Sequence, residues 1–341
     1  MPQRQRLAII GLGMAVTPHA RSVADLHDRV EVAYAFSRSA VRRQTFAERF
    51  AFPLADDLGP IERDPSVGAV MILTPPNTHL ELVERFAAAG KHILLEKPLE
   101  RSTERAEALV AAAESAGIRL GVVFQHRFRE ASLALRARLE QGVLGELAAV
   151  NVICPWWRPQ TYYDEPGRGT LARDGGGVLI TQAIHTLDLL LSLTGPVAEV
   201  AAICGTTGMH RMETEDFAGA GLRFANGALG ALLATTAAYP GFPERIELIG
   251  TRATAVLFAG SLAVHHHDGR VERVGEEQAT GAGADPMAFP HDANRALLAD
   301  FLDALDEGRD PQACGREALR VHCFIDAVLQ SSQERRAVTL A

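Results

Sequence analysis

Three stretches of the chain carry side chains whose types and spacing could do chemistry. The run His92-Ile93-Leu94-Leu95-Glu96-Lys97-Pro98 is an apolar strand ending in a carboxylate, an ammonium and a proline. Ligands of open α/β sheets bind beyond the carboxyl ends of the strands, which is where Glu96 and Lys97 would fall. Taken alone, a terminal Glu-Lys is more often a solvated strand end. The second stretch runs from Gly175-Gly176-Gly177 to Leu191 and reads as an apolar helix, with Thr181, His185 and Asp188 on one stripe by i, i+4 and i+3 spacing. A histidine in so apolar a helix is commonly a hydrogen-bonded core residue, but the triple glycine beside it argues for a site. The third is Trp156-Trp157-Arg158-Pro159-Gln160-Thr161-Tyr162-Tyr163-Asp164 with Arg168. Aromatic faces and guanidinium donors suit a sugar ring or a carboxylate, and a subunit contact made by the same groups is the alternative.

A fourth motif could hold a dinucleotide. Gly11 and Gly13 follow the apolar run Leu7-Ala8-Ile9-Ile10, so the first permits a tight strand-to-helix turn and the second lets backbone approach a pyrophosphate. The third glycine of the full fingerprint is replaced by Val16, and G-x-G alone is a weak signal. An NAD site ordinarily has an acidic residue at the end of the second strand. Here that strand ends in Ser37-Arg38-Ser39, which suits a 2′-phosphate and favours NADP over NAD. A solvated arginine beside an adenine pocket that accepts either cofactor is the competing reading.

These motifs need elements to position them. The chain of 341 residues is long for one core and predicts two domains. Strands at Leu7 to Ile10, Val30 to Phe36, Ala69 to Leu73, His92 to Leu95 and Arg119 to Phe124 alternate with amphipathic helical stretches, the pattern of a parallel sheet. After Phe124 come a helix through Leu133 to Leu139, a strand at Leu147 to Ile153 and a long loop over residues 155–177. A run of strands then extends from Glu199 to Val274, with hairpin signals at Asn226-Gly227 and Asp268-Gly269. Helices around Ala293 to Leu305 and Ala318 to Gln330 close the chain. The expectation is an α/β chain with a Rossmann domain at 1–124 and an α+β domain at 125–341.

Composition narrows the partners. Lys plus Arg total 34 against 42 Asp plus Glu, a net charge of −8 that gives no electrostatic reason for a nucleic-acid partner. Cys154, Cys204, Cys314 and Cys323 form no C-x-x-C pair, so no zinc site is expected, and reduced thiols fit the cytoplasm. No room for a signal peptide and no apolar run of membrane length are found. His265-His266-His267 lie on a hairpin arm, where alternation splits their side chains between two faces and disfavours a metal site.

Gly11-Leu12-Gly13, Thr74-Pro75-Pro76-Asn77-Thr78-His79, Glu96-Lys97-Pro98 and the glycine-led His185 helix, in this order and spacing, resemble the Gfo/Idh/MocA family of glucose-fructose oxidoreductase, inositol dehydrogenase and relatives. The resemblance covers nearly the whole chain. It implies a Rossmann domain followed by a domain with a large open, mainly antiparallel sheet, through which members form homodimers or homotetramers. By the same likeness Lys97 matches the active-site lysine and His185 the acid/base histidine. Gly11, Gly13, Met14, Ser37, Arg38, Thr74, Pro75, Asn77, His79, Glu96, Lys97 and Gln125 become cofactor contacts, with Asn77 and Glu96 on the nicotinamide-ribose side. Arg127, Trp156, Trp157, Arg158, Tyr163, Arg168, Thr181, Gln182 and His185 become substrate contacts. One departure stands out: many members carry Asp four residues before the histidine, where this chain has Thr181.

The resulting expectation is hydride transfer between NADP or NAD and a hydroxyl or carbonyl carbon of a sugar, nucleotide-sugar, inositol or similar cyclic polyol. His185 would exchange the hydroxyl proton and Lys97 would stabilise the oxygen. Two rivals keep the fold: a dinucleotide-sensing regulator or scaffold without turnover, and an NAD-dependent glycosidase.

Overall fold

The computed structural model describes residues 4–285 and 289–340. The chain divides into two compact units, one comprising Met1–Gln125 with His291–Leu319 and the other His126–Pro290 with Arg320–Ala341.

The first unit is built on β1 (Gln5–Ile10), α1 (Val16–Asp25), β2 (Val30–Phe36), α2 (Ala40–Ala47), β3 (Leu54–Ala55), α3 (Gly59–Arg63), β4 (Ala69–Ile72), α4 (His79–Ala88), β5 (His92–Leu95), α5 (Thr103–Ser115) and β6 (Leu120–Val122). Its six strands run in the order β3-β2-β1-β4-β5-β6, every pairing parallel. Strands covered on both faces must be apolar throughout, and Ala69–Ile72 is buried at every position. Strand order reverses between β1 and β4, the topological switch point at which ligands of such sheets bind. The Gly11 turn leaves the end of β1 at that point.

The second unit holds α6 (Glu130–Glu140), β7 (Leu147–Pro155), the short α7 (Gln160–Tyr163), α8 (Ile184–Thr194), and strands β8 (Val197–Gly205), β9 (Phe217–Phe224), β10 (Leu229–Thr235), β11 (Arg245–Gly250), β12 (Ala253–Phe258), β13 (Ser261–His266) and β14 (Val271–Val274). Two helices, α9 (Asp292–Glu307) and α10 (Gly315–Glu334), and the strand β15 (Val338–Thr339) follow. The nine-stranded sheet has the order β14-β13-β12-β11-β7-β10-β9-β8-β15. It is antiparallel except for the parallel pair β7 and β10. Both hairpin signals are turns in the structure, with Gly227 and Gly269 at φ 89° and 90° between β9 and β10 and between β13 and β14. Alternation along β7 and β10 sends Val150, Val152, Cys154, Leu232 and Ala234 to the covered face.

The expected second domain, an unbroken 125–341, needs correction. His291–Leu319 belongs with the first unit, where α9 packs on α1 and His291 and Arg295 meet Asp25. An amphipathic helix shows which face it buries but not against which partner, so periodicity could not reveal this return.

Candidate functional site

The glycine turn has the shape a dinucleotide requires. Gly11 sits at φ +108°, and a Cβ there would lie 2.8 Å from the Leu73 carbonyl oxygen, so only glycine fits. Beside Gly13 a Cβ would meet only the Arg42 guanidinium, at 4.0 Å, which leaves the turn open on that side. Helix α1 begins without a side-chain cap and without an acidic residue in its first turn; its Val16 N–H donates to the Gly13 carbonyl at 3.2 Å, and the helix start presents the positive end of its dipole to an anion. Val16, standing where the third glycine would be, is buried under the sheet. Met14 is exposed at the mouth of the turn.

At the end of β2, Ser37 is buried and Arg38 exposed. The Arg43 guanidinium braces the loop by donating to the Ser37 and Arg38 carbonyls. Ser39 caps α2 by accepting from the Arg42 N–H. Arg42 therefore reaches the glycine turn, with Nη1 4.0 Å from where a Gly13 Cβ would stand, a placement that sequence reading missed because the link runs between separate loops.

Thr74, Pro75 and Asn77 lie on the loop after β4, partly or fully exposed. His79 does not join them. Its ring is fully buried, with Nε2 2.8 Å from the Thr74 carbonyl and Nδ1 3.1 and 3.0 Å from the Pro98 and Leu99 carbonyls. Burial holds the imidazole below its ordinary pKa, against the pull of those three carbonyls. The expectation of a cofactor contact at His79 is corrected: the ring ties the β4 loop to the Glu96-Lys97-Pro98 loop.

That loop is closely organised. The Lys97–Pro98 peptide is cis. Glu96 accepts from His19 of α1, Nε2 to Oε1 2.9 Å, and from the Lys97 N–H at 3.1 Å. Burial raises the Glu96 carboxyl, but the His19 hydrogen bond and charge, together with Lys97, outweigh it and keep the group below the ordinary carboxylate range. Glu96 is thus an anion gripped from the helix that starts at the glycine turn. His19 was overlooked in the sequence because its partner lies 77 residues away. Lys97 is half-buried, and Gln125 is buried at the end of this unit.

In the second unit the His185 helix begins differently from the expected pattern. Leu179–Ala183 is a π turn, and α8 starts only at Ile184. The wider turn breaks the i, i+4 register between Thr181 and His185. The Thr181 hydroxyl donates instead to the Gly177 carbonyl at 2.7 Å. Glu215 closes the helix start, accepting from the Gly177 and Leu179 N–H groups at 3.0 and 3.2 Å. Burial raises the Glu215 carboxyl despite those bonds.

Around His185, which is buried, the turn Gln125–Phe128 supplies two contacts. The His126 ring stacks on His185 with centroids 5.1 Å apart. Arg127 makes a bidentate ion pair with Asp188, both bonds 2.6 Å and both side chains at most 4% exposed. The expectation that Arg127 touches substrate is corrected by this pairing, which clamps the turn to α8.

The aromatic loop sorts into two layers. Arg158 is 1% exposed and donates to Gln182 Oε1 at 3.1 and 2.8 Å and to the Trp157 and Gly283 carbonyls. Gln182 in turn donates to the Tyr162 hydroxyl. Tyr163 is buried and bonded to Thr236, its phenol pushed up by burial, and Trp156 is buried under Arg158. The structure thus places Arg158, Gln182, Tyr163 and Trp156 in a buried layer joined by these bonds and ring contacts. A guanidinium satisfies its charge deep in the fold only with several acceptors, and the carbonyls of residues 282–283 lie too far along the chain for motif reading to supply. Behind them His210 bridges Asp216 and the Arg158 carbonyl. The accessible layer is Trp157, Tyr162, Thr181 and Arg168, whose guanidinium lies 4.2 Å over the Tyr162 ring.

Among the described residues no group of three or more His, Cys, Asp or Glu is placed to hold a metal ion, and no helix is long and apolar enough to cross a membrane. Cys154, Cys204, Cys314 and Cys323 form no disulfide.

Comparison with known proteins gives matches to both parts of the family's pattern. Residues 5–124 match the model of an oxidoreductase family with an NAD-binding Rossmann fold, and residues 132–256 match the GFO/IDH/MocA C-terminal domain. The chain is 26% identical to an inositol 2-dehydrogenase of Rhizobium meliloti over 98% of its own length and 99% of that protein's. It is 30% identical to a 1,5-anhydro-D-fructose reductase of Ensifer adhaerens over 75% and 74% of the two chains. Among solved structures it is similar to the WlbA dehydrogenase of Bordetella pertussis in complex with NADH and UDP-GlcNAcA, with a TM-score of 0.84, 28% identity and 99% of each chain covered. With a nucleotide-ready glycine turn on a β3-β2-β1-β4-β5-β6 sheet, a Glu-Lys-Pro strand end and a second unit on a nine-stranded sheet, the chain belongs to the Gfo/Idh/MocA family of NAD-binding oxidoreductases.

Proposed function

We propose that this oxidoreductase is a dehydrogenase or reductase of a CH–OH carbon in a small cyclic polyol, with Lys97 and His185 as its catalytic residues. The observation that carries the reading is the braced Glu96-Lys97-Pro98 strand end. It is held by His19 of α1, the helix that opens at the glycine turn, so the lysine is positioned by the same elements that would hold a dinucleotide. The bound nicotinamide would supply the hydride donor or acceptor. His185 exchanges the hydroxyl proton and Lys97 stabilises the oxygen on which charge develops. Thr181, with its hydroxyl turned to its own backbone, takes no proton in this scheme.

Gly11, Gly13 and Met14 cradle the pyrophosphate; Thr74, Pro75, Asn77, Glu96 and Gln125 serve the nicotinamide half. Ser37, Arg38 and Arg42 favour the 2′-phosphate of NADP. Trp157, Tyr162 and Arg168 present aromatic faces and donors to a ring bearing hydroxyls. The related inositol dehydrogenase and anhydrofructose reductase act on compounds of this class, and cysteines outside any disulfide suit the reducing cytoplasm.

A second copy of the chain covers the outer face of the large sheet. On that face Ile153, Ala231, Leu229, Ala201 and Ile203 alternate with the covered residues, and Ile203 is 76% exposed. These apolar side chains share the face with the pairs Glu199–Arg223 and Arg245–Glu247, and exposed apolar residues grouped on one sheet face are a usual mark of association.

The test is turnover of NAD and NADP against myo-inositol, scyllo-inositol, 1,5-anhydrosugars and nucleotide-sugars. Net accumulation of reduced or oxidised cofactor is expected with at least one of them. Glycoside cleavage without net cofactor change, or tight cofactor binding with no turnover on any, would replace the reading by one of its two rivals.

A further inference from the structure

We propose that His126 is the positioning residue that orients His185, and that Arg129 and Glu244 hold His126 in one tautomer. The inference rests on the reading of His185 as the proton-exchanging group. The two imidazoles stack with planes 30° apart. Away from His185, His126 lines a cavity of ≈ 20 Å³ with Arg129, Ser132, Thr186, Glu244 and Ile246. Close packing on that side therefore does not fix the ring.

A hydrogen bond does. Arg129 Nη2 lies 2.7 Å from His126 Nε2. A guanidinium has only donors, so Nε2 accepts and the His126 proton sits on Nδ1. Arg129 is anchored by Glu244, Nη1 to Oε1 2.5 Å, with the carboxylate side chain 7% exposed. The charged groups packed about the stack are paired, Arg127 with Asp188 and Arg129 with Glu244. His126 thus offers a neutral ring face to His185. A second imidazolium there would repel an arriving proton, whereas a neutral ring accommodates it. Arg127, next to His126 in the chain, clamps the turn to the residue one helical turn after His185, so stack and clamp act on the same stretch of α8.

Histidine-selective 15N NMR on the full chain reads the tautomer and charge of both rings without a substrate. His126 is expected to carry its proton on Nδ1. Arg129→Met should release the second tautomer and shift the His185 resonances. His126→Ala should shift them as well, and His126→Phe, which restores a ring, should return them toward their wild-type positions. With the best substrate of the panel, His126→Ala is expected to lower kcat on the order of 10- to 100-fold with cofactor KM little changed, as misorientation of a catalytic group does. His126→Phe should recover most of that loss. Circular dichroism and cofactor binding establish that each variant is folded, and Arg129→Met carries the comparison if His126→Ala is not.

A His126 protonated on Nε2 overturns the proposal. So do His185 resonances unmoved in both His126→Ala and Arg129→Met, or equal kcat in the Ala and Phe variants. His185→Ala is measured in parallel: if it keeps its turnover, the proton-exchange reading fails on its own, whatever the NMR shows about the stack.

Discussion

At the scale of single residues, the chemistry of the first unit turns on which charges are already neutralised. Glu96 accepts from His19 and from the Lys97 backbone, bonds that hold the strand end in place. Replacing Lys97 by Ala should lower kcat about 100- to 1000-fold, the usual effect of losing one group that stabilises a developing oxyanion. Cofactor dissociation constants, read by fluorescence titration, should stay close to wild type; near-normal turnover would remove Lys97 from the catalytic assignment. Arg42 lies beside the glycine turn without an acidic neighbour at the end of β2. Arg42→Ala and Arg38→Ala should each weaken NADPH binding about ten- to a hundredfold and NADH binding much less, in line with one lost charge-assisted bond of about 1.5–3 kcal/mol. Equal weakening of both cofactors would mean that the arginines do not read the 2′-phosphate.

At the scale of elements, the His185 helix depends on how it starts. Gly177 allows Glu215 to approach the helix, since a Cβ there would fall 1.8 Å from the Glu215 carbonyl oxygen. Gly177→Ala must push Glu215 away from the N–H groups it accepts from. A loss of about 2–4 kcal/mol in urea denaturation, together with reduced kcat, is expected, and an unchanged midpoint would show that the turn is more pliable than its geometry implies. Helix α10 carries a different sensitivity. Burial lowers the His322 pKa from 6.5 to about 4, so between these values the unfolded chain binds a proton that the folded one refuses. Stability from this residue is full above about pH 6.5 and declines as pH falls toward 4, by about 3 kcal/mol in all. His322→Leu should flatten that part of the acid denaturation profile; a wild-type slope in the variant would assign it to other groups.

At the scale of the whole molecule, the outer sheet face predicts self-association. Sedimentation of the wild type should give a dimer or tetramer, and Ile203→Glu, which places charge at the 76%-exposed position, should shift it toward monomer; a monomeric wild type would leave the face to another partner. Much of the molecule was legible before any coordinates. Continuous apolar runs mark five of the six strands of the first sheet, and the second sheet reads as one strand at Leu147 to Ile153 and a run of strands over 199–274 with two hairpin turns, because those signals are local consequences of pleat and burial. The Gly11, Lys97 and His185 motifs were visible for the same reason, each being a short run tied to one element boundary. What only the tertiary structure decided were pairings made across the chain: His19 with Glu96, Arg127 with Asp188, Arg158 with the carbonyls near Gly283, and α9 with α1. A guanidinium or imidazole has the same local sequence signature whether it faces a ligand or a buried acceptor. Its fate depends on which distant segment arrives to satisfy it, and that is settled by packing.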